Sequence, residues 1–286
     1  MMVTMQDLAT PSTNTWCPGC GNFGILTAAK RAIIQLSLER EQVAAVSGIG
    51  CHGKMTNYIK VNGIHVIHGR VLPVATAIKL ANQELTVIGF AGDGDAFNIG
   101  MGHFSHAARR NPDITLVVHD NLIYGLTTGQ TSPTSKRGLK TKSTPRGVFE
   151  VAVNPITQAL ASDASFVARG YAGDMQHLTE LFKEAITFPG FAMVDVLQPC
   201  VAWNRINTYD FYKERVYKLE EEGHDPTDLM KAYERGMEWG DRIPIGVFYK
   251  VERPIYRENF PVLKGAPLVR QKLDSIDISG LLKEFA

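Results

Sequence analysis

Four cysteines stand in sequence contexts that could bring their sulfurs to one point. Cys17 and Cys20 form the pair C-P-G-C, Cys51 lies in S-G-I-G-C-H-G-K, and Cys200 ends L-Q-P-C. Turn backbones allow close approach, and their free N–H groups can bond the sulfide of an iron–sulfur cluster. Zinc would suit two C-x-x-C pairs better, whereas widely spaced single cysteines are compatible with a [4Fe–4S] cluster. The spacing leaves both metals open, and also a lone C-x-x-C pair beside two unrelated buried cysteines.

A second candidate site consists of two short motifs that follow apolar runs. A-G-D-G-D-A-F-N occupies residues 91–98, and Asn121 lies in H-D-N-L-I-Y-G-L-T after the next run. Adjacent parallel strands would bring Asp93 and Asn121 together at the edge where open α/β sheets bind ligands. Their oxygens suit Mg²⁺ shared with a diphosphate, and Gly92 and Gly94 let the backbone approach the phosphate. G-D-G alone is a common turn sequence, so the prediction depends on both motifs.

Alternating strands and helices are predicted to position these motifs. Apolar runs predict strands at residues 43–50, 85–91, 114–118 and 191–197. Helical spacing of apolar residues, with R-R-N-P as one stop signal, predicts helices at 23–40, 71–81, 98–110, 156–161 and 177–187. This alternation favours an α/β fold with a doubly wound, mainly parallel sheet.

Two regions depart from this pattern. Residues 127–146 are rich in Thr, Ser, Gly and Lys, which predicts a long ordered or lid-like loop. From about residue 201 the chain is charged and aromatic, with an amphipathic helix predicted at 228–238 and an extended arm over the last forty residues. We therefore expect a core domain over residues 1–200 and a C-terminal extension over residues 201–286.

The composition is that of an ordinary globular protein. Of 286 residues, 44% are hydrophobic and 21% charged, which excludes disordered and fibrous classes. Thirty basic and 29 acidic side chains leave a net charge of +1, so no nucleic-acid or membrane partner is expected. No apolar run reaches the roughly 18 residues of a membrane span, and the N-terminus does not match a secretory signal. We expect a cytoplasmic protein.

The motifs taken together resemble a known family. G-D-G with about 26 residues before the asparagine resembles the thiamine diphosphate motif. Combined with W-C-P-G-C-G, S-G-I-G-C-H-G-K, H-G-R and Y-G-L-T-T-G-Q, it resembles the β subunit of 2-oxoacid:ferredoxin oxidoreductases over about residues 14–250. The resemblance implies a thiamine diphosphate-binding α/β domain that holds thiamine diphosphate, Mg²⁺ and a [4Fe–4S] cluster.

The resemblance also implies roles for residues at matching positions. The cluster ligands would be Cys17, Cys20, Cys51 and Cys200. Mg²⁺ would be held by the side chains of Asp93 and Asn121 and by the carbonyl of Ile123. The cofactor would lie among Ile49, Gly50, Cys51, His52, His68, Gly69, Gly92, Gly94, Asp95, Gly125, Leu126 and Thr127.

Catalytic roles are implied for three side chains. His52 and His68 would carry protons or contact the reacting centre, which their ordinary pKa near neutrality suits, although hydrogen bonds that fix a loop are an equal alternative. Lys54, in G-C-H-G-K, would contact phosphate or substrate, with a surface charge as the alternative; Arg70 matches the basic residue of H-G-R. His65, His103, His106 and His119 are interpreted as structural.

The implied activity is coenzyme A-dependent oxidative decarboxylation of a 2-oxoacid, with electrons passed through the cluster to ferredoxin. Some relatives carry lysine where this chain has Thr128, and such a lysine could meet the distal carboxylate of a dicarboxylic substrate. Its absence leaves 2-oxoglutarate, pyruvate and broad specificity open, and the signature resembles the 2-oxoglutarate or broad-range branch more closely. The usual Asn-Asn pair is Asp120-Asn121 here, which keeps the metal ligand.

A partner is implied as well. No motif supplies the glutamate that activates the aminopyrimidine ring of the cofactor, and in this family that residue belongs to an α subunit. We therefore expect an (αβ)₂ assembly in which the C-terminal arm contacts the core and the partner subunit. Two alternatives remain from the residues: a thiamine-dependent decarboxylase or synthase subunit with structural zinc, and a non-catalytic, cluster-bearing electron-transfer subunit.

Overall fold

A sheet of eight strands forms the centre of the computed structural model, which describes residues 3–272 and 277–285. In chain order the strands are β1 (Val43–Ser47), β2 (Asn62–His65), β3 (Thr86–Gly92), β4 (Ile114–Asp120), β5 (Phe166–Tyr171), β6 (Phe191–Leu197), β7 (Val216–Lys218) and β8 (Ile243–Lys250). They lie side by side in the order β2-β1-β3-β4-β6-β5-β8-β7. Only the β5–β8 pair is antiparallel among these neighbours.

Helices cover both faces of the sheet. They are α1 (Asn22–Gln35), α2 (Met55–Tyr58), α3 (Val71–Ala81), α4 (Met101–Arg110), α5 (Pro155–Ala161), α6 (Met175–Thr187), α7 (Tyr209–Lys213), α8 (Leu229–Met237) and α9 (Ser279–Glu284). One core joins α1 and α6 to the sheet through residues such as Ile33 and Phe182. The other joins α3, α4, α5 and α8 through residues such as Phe104 and Ile156.

The two cores draw on alternate residues of the same strands. Along β1, Val43 and Ala45 face the α1–α6 side, and Ala44 and Val46 face the other side. A strand presents successive side chains to opposite faces, so a sheet covered on both faces reads as a continuous apolar run. The predicted doubly wound, mainly parallel sheet is confirmed.

One helix boundary was predicted wrongly. The helix expected over residues 23–40 ends at Gln35, and a separate short turn follows at Arg40–Gln42. The N–H groups of Leu36 and Ser37 still bond carbonyls of the last helical turn, but Ser37 has φ of 55°. That left-handed conformation cannot continue a right-handed helix. The helix predicted at 228–238 is confirmed as α8, whose first turn is capped by Asp228.

Sequence periodicity missed four strands. β2 is a short, exposed edge strand, and β7 has only three residues. β5 carries Arg169 and Gly170 in its interior, and β8 carries Pro244 and Gly246. These residue types normally argue against a strand. β5 and β8 form despite these residues because neighbouring strands and helices pack against them.

The segment after residue 200 is partly built into the sheet. β7 and β8 extend it beyond β5, and α8 packs on β8 and α5. Residues 251–272 continue as short turns without a strand, and residues 127–146 form the predicted long loop without helix or strand. The division into residues 1–200 and 201–286 stays a proposal. Within the described chain, no helix is long and apolar enough to cross a membrane.

Candidate active site

The carboxyl ends of β1, β3 and β4 open onto a cavity of about 610 Å³. β3 ends directly before Asp93 and β4 directly before Asn121, which places both side chains at the cavity wall. The predicted site residues that line it are Ile49, Gly50, Cys51, His52, His68, Gly92, Asp93, Gly94, Asp95, Asn121, Ile123, Gly125, Leu126 and Thr127. Neighbouring strand ends therefore bring together motifs that are far apart in sequence.

Asp93 is almost fully buried and held by a loop. The hydroxyls of Ser132 and Thr134 donate to its Oδ2 over 2.5 and 2.6 Å. Thr134 also donates to Oδ1 of Asp120 over 3.0 Å. Burial raises the pKa of the Asp93 carboxyl against the lowering effect of these hydroxyls. A buried carboxylate that is costly to ionise suits a site completed by a cation.

Two further carboxylates lie behind Asp93. Burial, then the charges of Asp195 and Asp93, raise the pKa of Asp120 well above its ordinary value. Arg169, fully buried, bonds Asp195 through Nε over 3.1 Å and is the guanidinium partner in this group. Three buried carboxyl groups and the Arg169 guanidinium lie at this end of the cavity, and burial makes it costly to ionise all three carboxyl groups together. A divalent cation would favour their ionised forms.

Asp95 joins the segments that follow β1 and β2. Its Oδ1 lies 2.7 Å from Nδ1 of His68 and accepts the N–H of Gly69 over 2.7 Å. Its Oδ2 lies 3.6 Å from Nε2 of His52. Burial alone would raise the pKa of Asp95, but His52, the Gly69 N–H and His68 together lower it. A side chain at Gly48 would place Cβ 2.0 Å from Oδ2, so only glycine admits this carboxylate.

Tyr124 was not predicted as a site residue, although it belongs to the Y-G-L-T motif. Its hydroxyl donates to the carbonyl of Gly94 over 3.1 Å and accepts from the amide of Asn98 over 2.9 Å. The ring lies so close to Gly94 that a Cβ there would stand 2.2 Å from Cε1. The second glycine of G-D-G is thus required by packing against Tyr124.

The four cysteines line a second cavity, of about 220 Å³. Cys20 and Cys200 are buried, Cys51 is half-buried, and Cys17 is exposed. Burial and then Cys200, Cys51 and Cys17 raise the pKa of the Cys20 thiol to about 12, against a hydrogen bond from the Asn22 N–H. Thiols that oppose each other's ionisation in this way suit a site neutralised by metal.

The geometry does not favour a single ion at these thiols. Within residues 3–272 and 277–285, no three or more His, Cys, Asp or Glu side chains form a group that could hold one metal ion. The thiols instead surround a cavity.

The two cavities are neighbours. Cys51, Asn121, Gly125 and Leu126 line both. The wall between them is thin at Gly125, where an added Cβ would lie 3.6 Å from Sγ of Cys200 and 3.7 Å from Sγ of Cys51. The arrangement can therefore hold a cofactor and a redox centre side by side.

Comparison with known proteins agrees with this geometry. Residues 11–196 match the family model described as thiamine pyrophosphate enzyme, C-terminal TPP binding domain, and residues 200–265 match the model for the C-terminal part of the pyruvate ferredoxin oxidoreductase beta subunit. The chain is 50% identical over 262 residues to a 2-oxoacid:ferredoxin oxidoreductase subunit beta of a Sulfolobus species, covering 87% of this chain and 86% of that one. This chain belongs to the β-subunit family of 2-oxoacid:ferredoxin oxidoreductases.

Two further relatives support the assignment of this oxidoreductase β subunit. The subunit beta of Saccharolobus solfataricus is 52% identical over 251 residues, covering 84% of this chain and 82% of its own. A solved 2-oxoglutarate:ferredoxin oxidoreductase from Magnetococcus marinus, with 2-oxoglutarate, coenzyme A and succinyl-CoA bound, superimposes with a TM-score of 0.90. It is 37% identical and covers 98% of this chain and 95% of its own. The expected family and fold are confirmed, and a β subunit implies a partner subunit.

Apart from the three cysteines found only at the second cavity, two predicted site residues of this β subunit lie off the first cavity. Gly69 reaches it only through its N–H to Asp95. Lys54 lines the cysteine cavity, where its ammonium contacts the hydroxyl of Thr15. Arg70 contacts the imidazole of His103, and buried His119 bonds Oδ1 of Asn22 over 2.8 Å.

Sequence reasoning missed the residues that support the ligands. Ser132 and Thr134 lie in the loop predicted from composition alone, and nothing in that composition indicates which hydroxyl reaches Asp93. Trp16 donates its Nε1–H to the carbonyl of Cys51 over 2.7 Å. Both Trp16 and Gln198 stand inside the cysteine motifs W-C-P-G-C-G and L-Q-P-C, and that adjacency was the available signal.

Proposed function

We propose that this β subunit, together with an α subunit, catalyses coenzyme A-dependent oxidative decarboxylation of a 2-oxoacid to an acyl-CoA and CO₂, passing electrons to ferredoxin. The observation that carries the proposal is the pair of adjoining cavities that share Cys51 and Gly125. A carbon-centred reaction coupled to one-electron transfer needs donor and acceptor close together. The thin wall between the cavities satisfies that need.

Thiamine diphosphate with Mg²⁺ is proposed for the larger cavity. Asp93 and Asn121 would hold the ion by their side-chain oxygens and Ile123 by its carbonyl, since all three line the cavity. The buried carboxyl groups of Asp93 and Asp120, which are costly to ionise without a cation, support a divalent ion at this end. When bound, thiamine diphosphate supplies an electron sink for the carbanion that decarboxylation leaves.

A [4Fe–4S] cluster is proposed for the smaller cavity, with Cys17, Cys20, Cys51 and Cys200 as ligands. The support is that all four thiols line this one cavity. Trp16 fixes the backbone of Cys51 through the bond to its carbonyl. The chain's contribution is therefore a rigid set of sulfurs next to the reaction cavity.

His68 is proposed to hold or move a proton at the reacting centre. Its Nδ1 lies 2.7 Å from Oδ1 of Asp95, and this contact fixes the ring. The side chain lines the cavity, so the other ring nitrogen, Nε2, is the atom proposed to hold or move the proton. His52 is more deeply buried and lies between Asp95 and His119, so we propose that it orients Asp95. Lys54 lines the cysteine cavity, where burial and the Cys200 and Cys17 thiols raise the pKa of Cys51 and the charge of Lys54 only partly opposes them.

The substrate class is proposed to include 2-oxoglutarate, with breadth toward other 2-oxoacids. The support is the function of the relatives, which are named for 2-oxoacids in general and for 2-oxoglutarate. In this chain the loop position that could carry a carboxylate-binding lysine is Thr128, in a left-handed turn with φ of 74°. A site without that lysine has no built-in demand for a dicarboxylic acid.

The assembly is proposed to be (αβ)₂, with ferredoxin as the electron acceptor and a cytoplasmic location. Apolar side chains at the mouth of the larger cavity, Ile49 and Leu126, are 41% and 48% exposed. Exposed apolar residues that rim a cavity mark a surface that a partner covers. The exposed thiol of Cys17 lies on the solvent side of the smaller cavity, where an electron acceptor can approach.

The test uses the αβ complex purified without oxygen. We expect a brown chromophore that bleaches when a 2-oxoacid is added with coenzyme A, and the acid that bleaches it fastest names the substrate. A complex with Asp93→Asn should keep the colour and lose the bleaching, because the buried carboxylate for Mg²⁺ is gone. Asp241→Asn, at an exposed position before β8, is the matched control. A colourless wild-type complex with stoichiometric zinc would refute the proposal.

A further inference from the structure

One buried amide lies between the two cavities and bonds a predicted ligand of each. Gln198 follows β6, is only 2% exposed and lines the cysteine cavity. Its Oε1 accepts from Nδ2 of Asn121 over 3.1 Å. Its Nε2 lies 3.4 Å from Sγ of Cys20, within the range of an N–H···S hydrogen bond.

The orientation of this amide is fixed by its surroundings. Nε2 also donates over 3.0 Å to the carbonyl of Pro199, which can only accept. The nitrogen therefore faces Cys20 and the oxygen faces Asn121. Gly21 makes the close approach possible, because a Cβ there would lie 2.8 Å from Cγ of Gln198. The glycine after the C-P-G-C pair is thus explained by Gln198.

Backbone hydrogen bonds of Gln198 and of the next residue, Pro199, hold this segment in place. The N–H of Gln198 donates to the carbonyl of Asp120 over 2.9 Å, and the N–H of Gly21 donates to the carbonyl of Pro199 over 3.1 Å. These bonds tie the end of β6 to the end of β4 and to the first cysteine turn. Gln198 consequently has little freedom to adopt another position.

We infer that Gln198 is a positioning residue that couples the metal ligand Asn121 to the cluster ligand Cys20. The inference rests on the proposed function, since it concerns the two groups proposed there. By holding Nδ2 of Asn121, Gln198 keeps Oδ1 on the side of Ile123, whose N–H it accepts over 3.1 Å. By donating to Cys20, it stabilises negative charge on that sulfur.

The bond to Cys20 and the bond to Asn121 each have a measurable consequence. Hydrogen bonds to cluster sulfurs favour the reduced, more negative state, so their loss lowers the reduction potential. Outer partners that orient a metal ligand typically change metal affinity by about 10–100-fold when removed. A residue that merely fills space would alter neither quantity selectively.

Two substitutions separate the effect of the bond to Cys20 from that of the bond to Asn121. Gln198→Glu keeps an acceptor for Asn121 and removes the amide donor to Cys20. We expect a reduction equilibrium constant at least tenfold lower, which is about 59 mV for a one-electron couple, with no loss of Mg²⁺–thiamine diphosphate affinity, because the new carboxylate still accepts from Asn121 and does not repel a cation. Gln198→Met removes both bonds at similar length, so we expect the lowered potential and also roughly tenfold weaker binding of Mg²⁺ and thiamine diphosphate.

The measurements are a redox titration of the oxygen-free αβ complex, monitored by electron paramagnetic resonance, and calorimetric titration of the cofactor-stripped complex with thiamine diphosphate and Mg²⁺. Iron and sulfide content establish full cluster occupancy. Gln158→Glu on α5, which lines neither cavity, adds the same charge and should leave both quantities unchanged.

Three outcomes would overturn the inference. One is an unchanged potential in fully loaded Gln198→Glu. Another is that both variants lose iron and cofactor to the same extent while the remaining clusters keep the wild-type potential, which is the result of a purely structural role. The third is a wild-type complex that holds neither cluster nor thiamine diphosphate; that result alone refutes the proposed function, and the inference with it.

Discussion

At the scale of single residues, the site is organised by hydroxyls and amides that hold the charged groups in place. Ser132 and Thr134 both bond Oδ2 of Asp93, and Thr134 bridges to Asp120. Fixed partners of this kind lower the cost of orienting a ligand when the ion arrives. The loop over residues 127–146 therefore contributes to the proposed metal site although it contains no predicted metal ligand.

Thr134→Val is expected to weaken Mg²⁺ binding by about tenfold. Valine keeps the shape and removes the hydroxyl that bonds both carboxylates, and a hydrogen bond to a charged group is worth about 1.5–3 kcal/mol. The measurement is the Mg²⁺ dependence of thiamine diphosphate binding to the αβ complex. Thr141→Val, in the same loop, serves as the control, because the hydroxyl of Thr141 bonds hydroxyls and backbone within the loop. Equal effects of the two variants would contradict a specific role for Thr134.

Residue types and spacing predicted which side chains would gather at the cavity, because strand ends meet at one edge of a parallel sheet. Asp93 and Asn121 came from that argument, while most cofactor contacts came from the family resemblance. Gln198 and Thr134 could not be predicted, since their roles depend on which loop packs over which strand end. A hydroxyl in a Thr- and Ser-rich loop carries no sign of its partner.

At the scale of elements, the turn after α4 illustrates how one side chain can hold several segments. Asn111 ends that helix in a left-handed conformation with φ of 56°. Its Oδ1 accepts from the Phe191 N–H over 2.7 Å and from the Ser165 hydroxyl over 2.9 Å. Its Nδ2 donates to the carbonyl of Arg253 over 3.1 Å. The starts of β5 and β6 and the chain after β8 thus meet at one amide.

Asn111→Ala should destabilise the chain by about 2–4 kcal/mol. The change leaves several buried groups without partners and puts alanine in a conformation that asparagine tolerates better. Chemical unfolding of the complex, followed by circular dichroism, measures the loss. Asn259→Ala, which removes one exposed bond to Tyr256, is expected to change stability by less than about 0.5 kcal/mol. A loss for Asn111→Ala no larger than that of the control would contradict the interpretation.

The elements also show where sequence patterns fail. The stop signal R-R-N-P placed the end of α4 correctly, because a left-handed asparagine and a proline act locally. β8 was missed because its proline and glycine are tolerated only in the context of its two neighbours. It pairs with β5 through a register shift at Val167 and Ala168, and Gly246 has φ of 120°. Such irregular pairing is a tertiary effect that no local pattern encodes.

At the scale of the whole molecule, the cavity mouth is bordered by exposed apolar surface. Ile99, 58% exposed, contacts Gly69, which bonds Asp95 at the cavity wall. Ile67, two residues before Gly69, is 71% exposed. These exposed apolar side chains lie close in sequence or space to residues bonded to the cavity wall, and we expect the α subunit to cover them.

Ile99→Glu is expected to weaken association of the α and β subunits at least tenfold. A charge buried at an apolar interface has no opposite charge to pair with, so association becomes weaker. The β chain isolated from its partner should show no turnover. Sedimentation of mixed subunits measures the association, and the iron content of the variant should match wild type. Val151→Glu, at an 82% exposed position outside both cavities, is the control. Association unaffected by Ile99→Glu would place the partner elsewhere.

The antiparallel pairing of β8 with β5 has a consequence for how the chain is made. β5 ends at Tyr171, and the strand that covers its outer edge begins only at Ile243, about 70 residues later. At a translation rate of about 5–20 residues per second, that edge stays open on the ribosome for roughly 4–15 s. Arg169, a charge within β5, blunts an edge that would otherwise recruit strands from neighbouring nascent chains. One of the residues that make β5 hard to recognise in the sequence is therefore also expected to limit strand capture during synthesis.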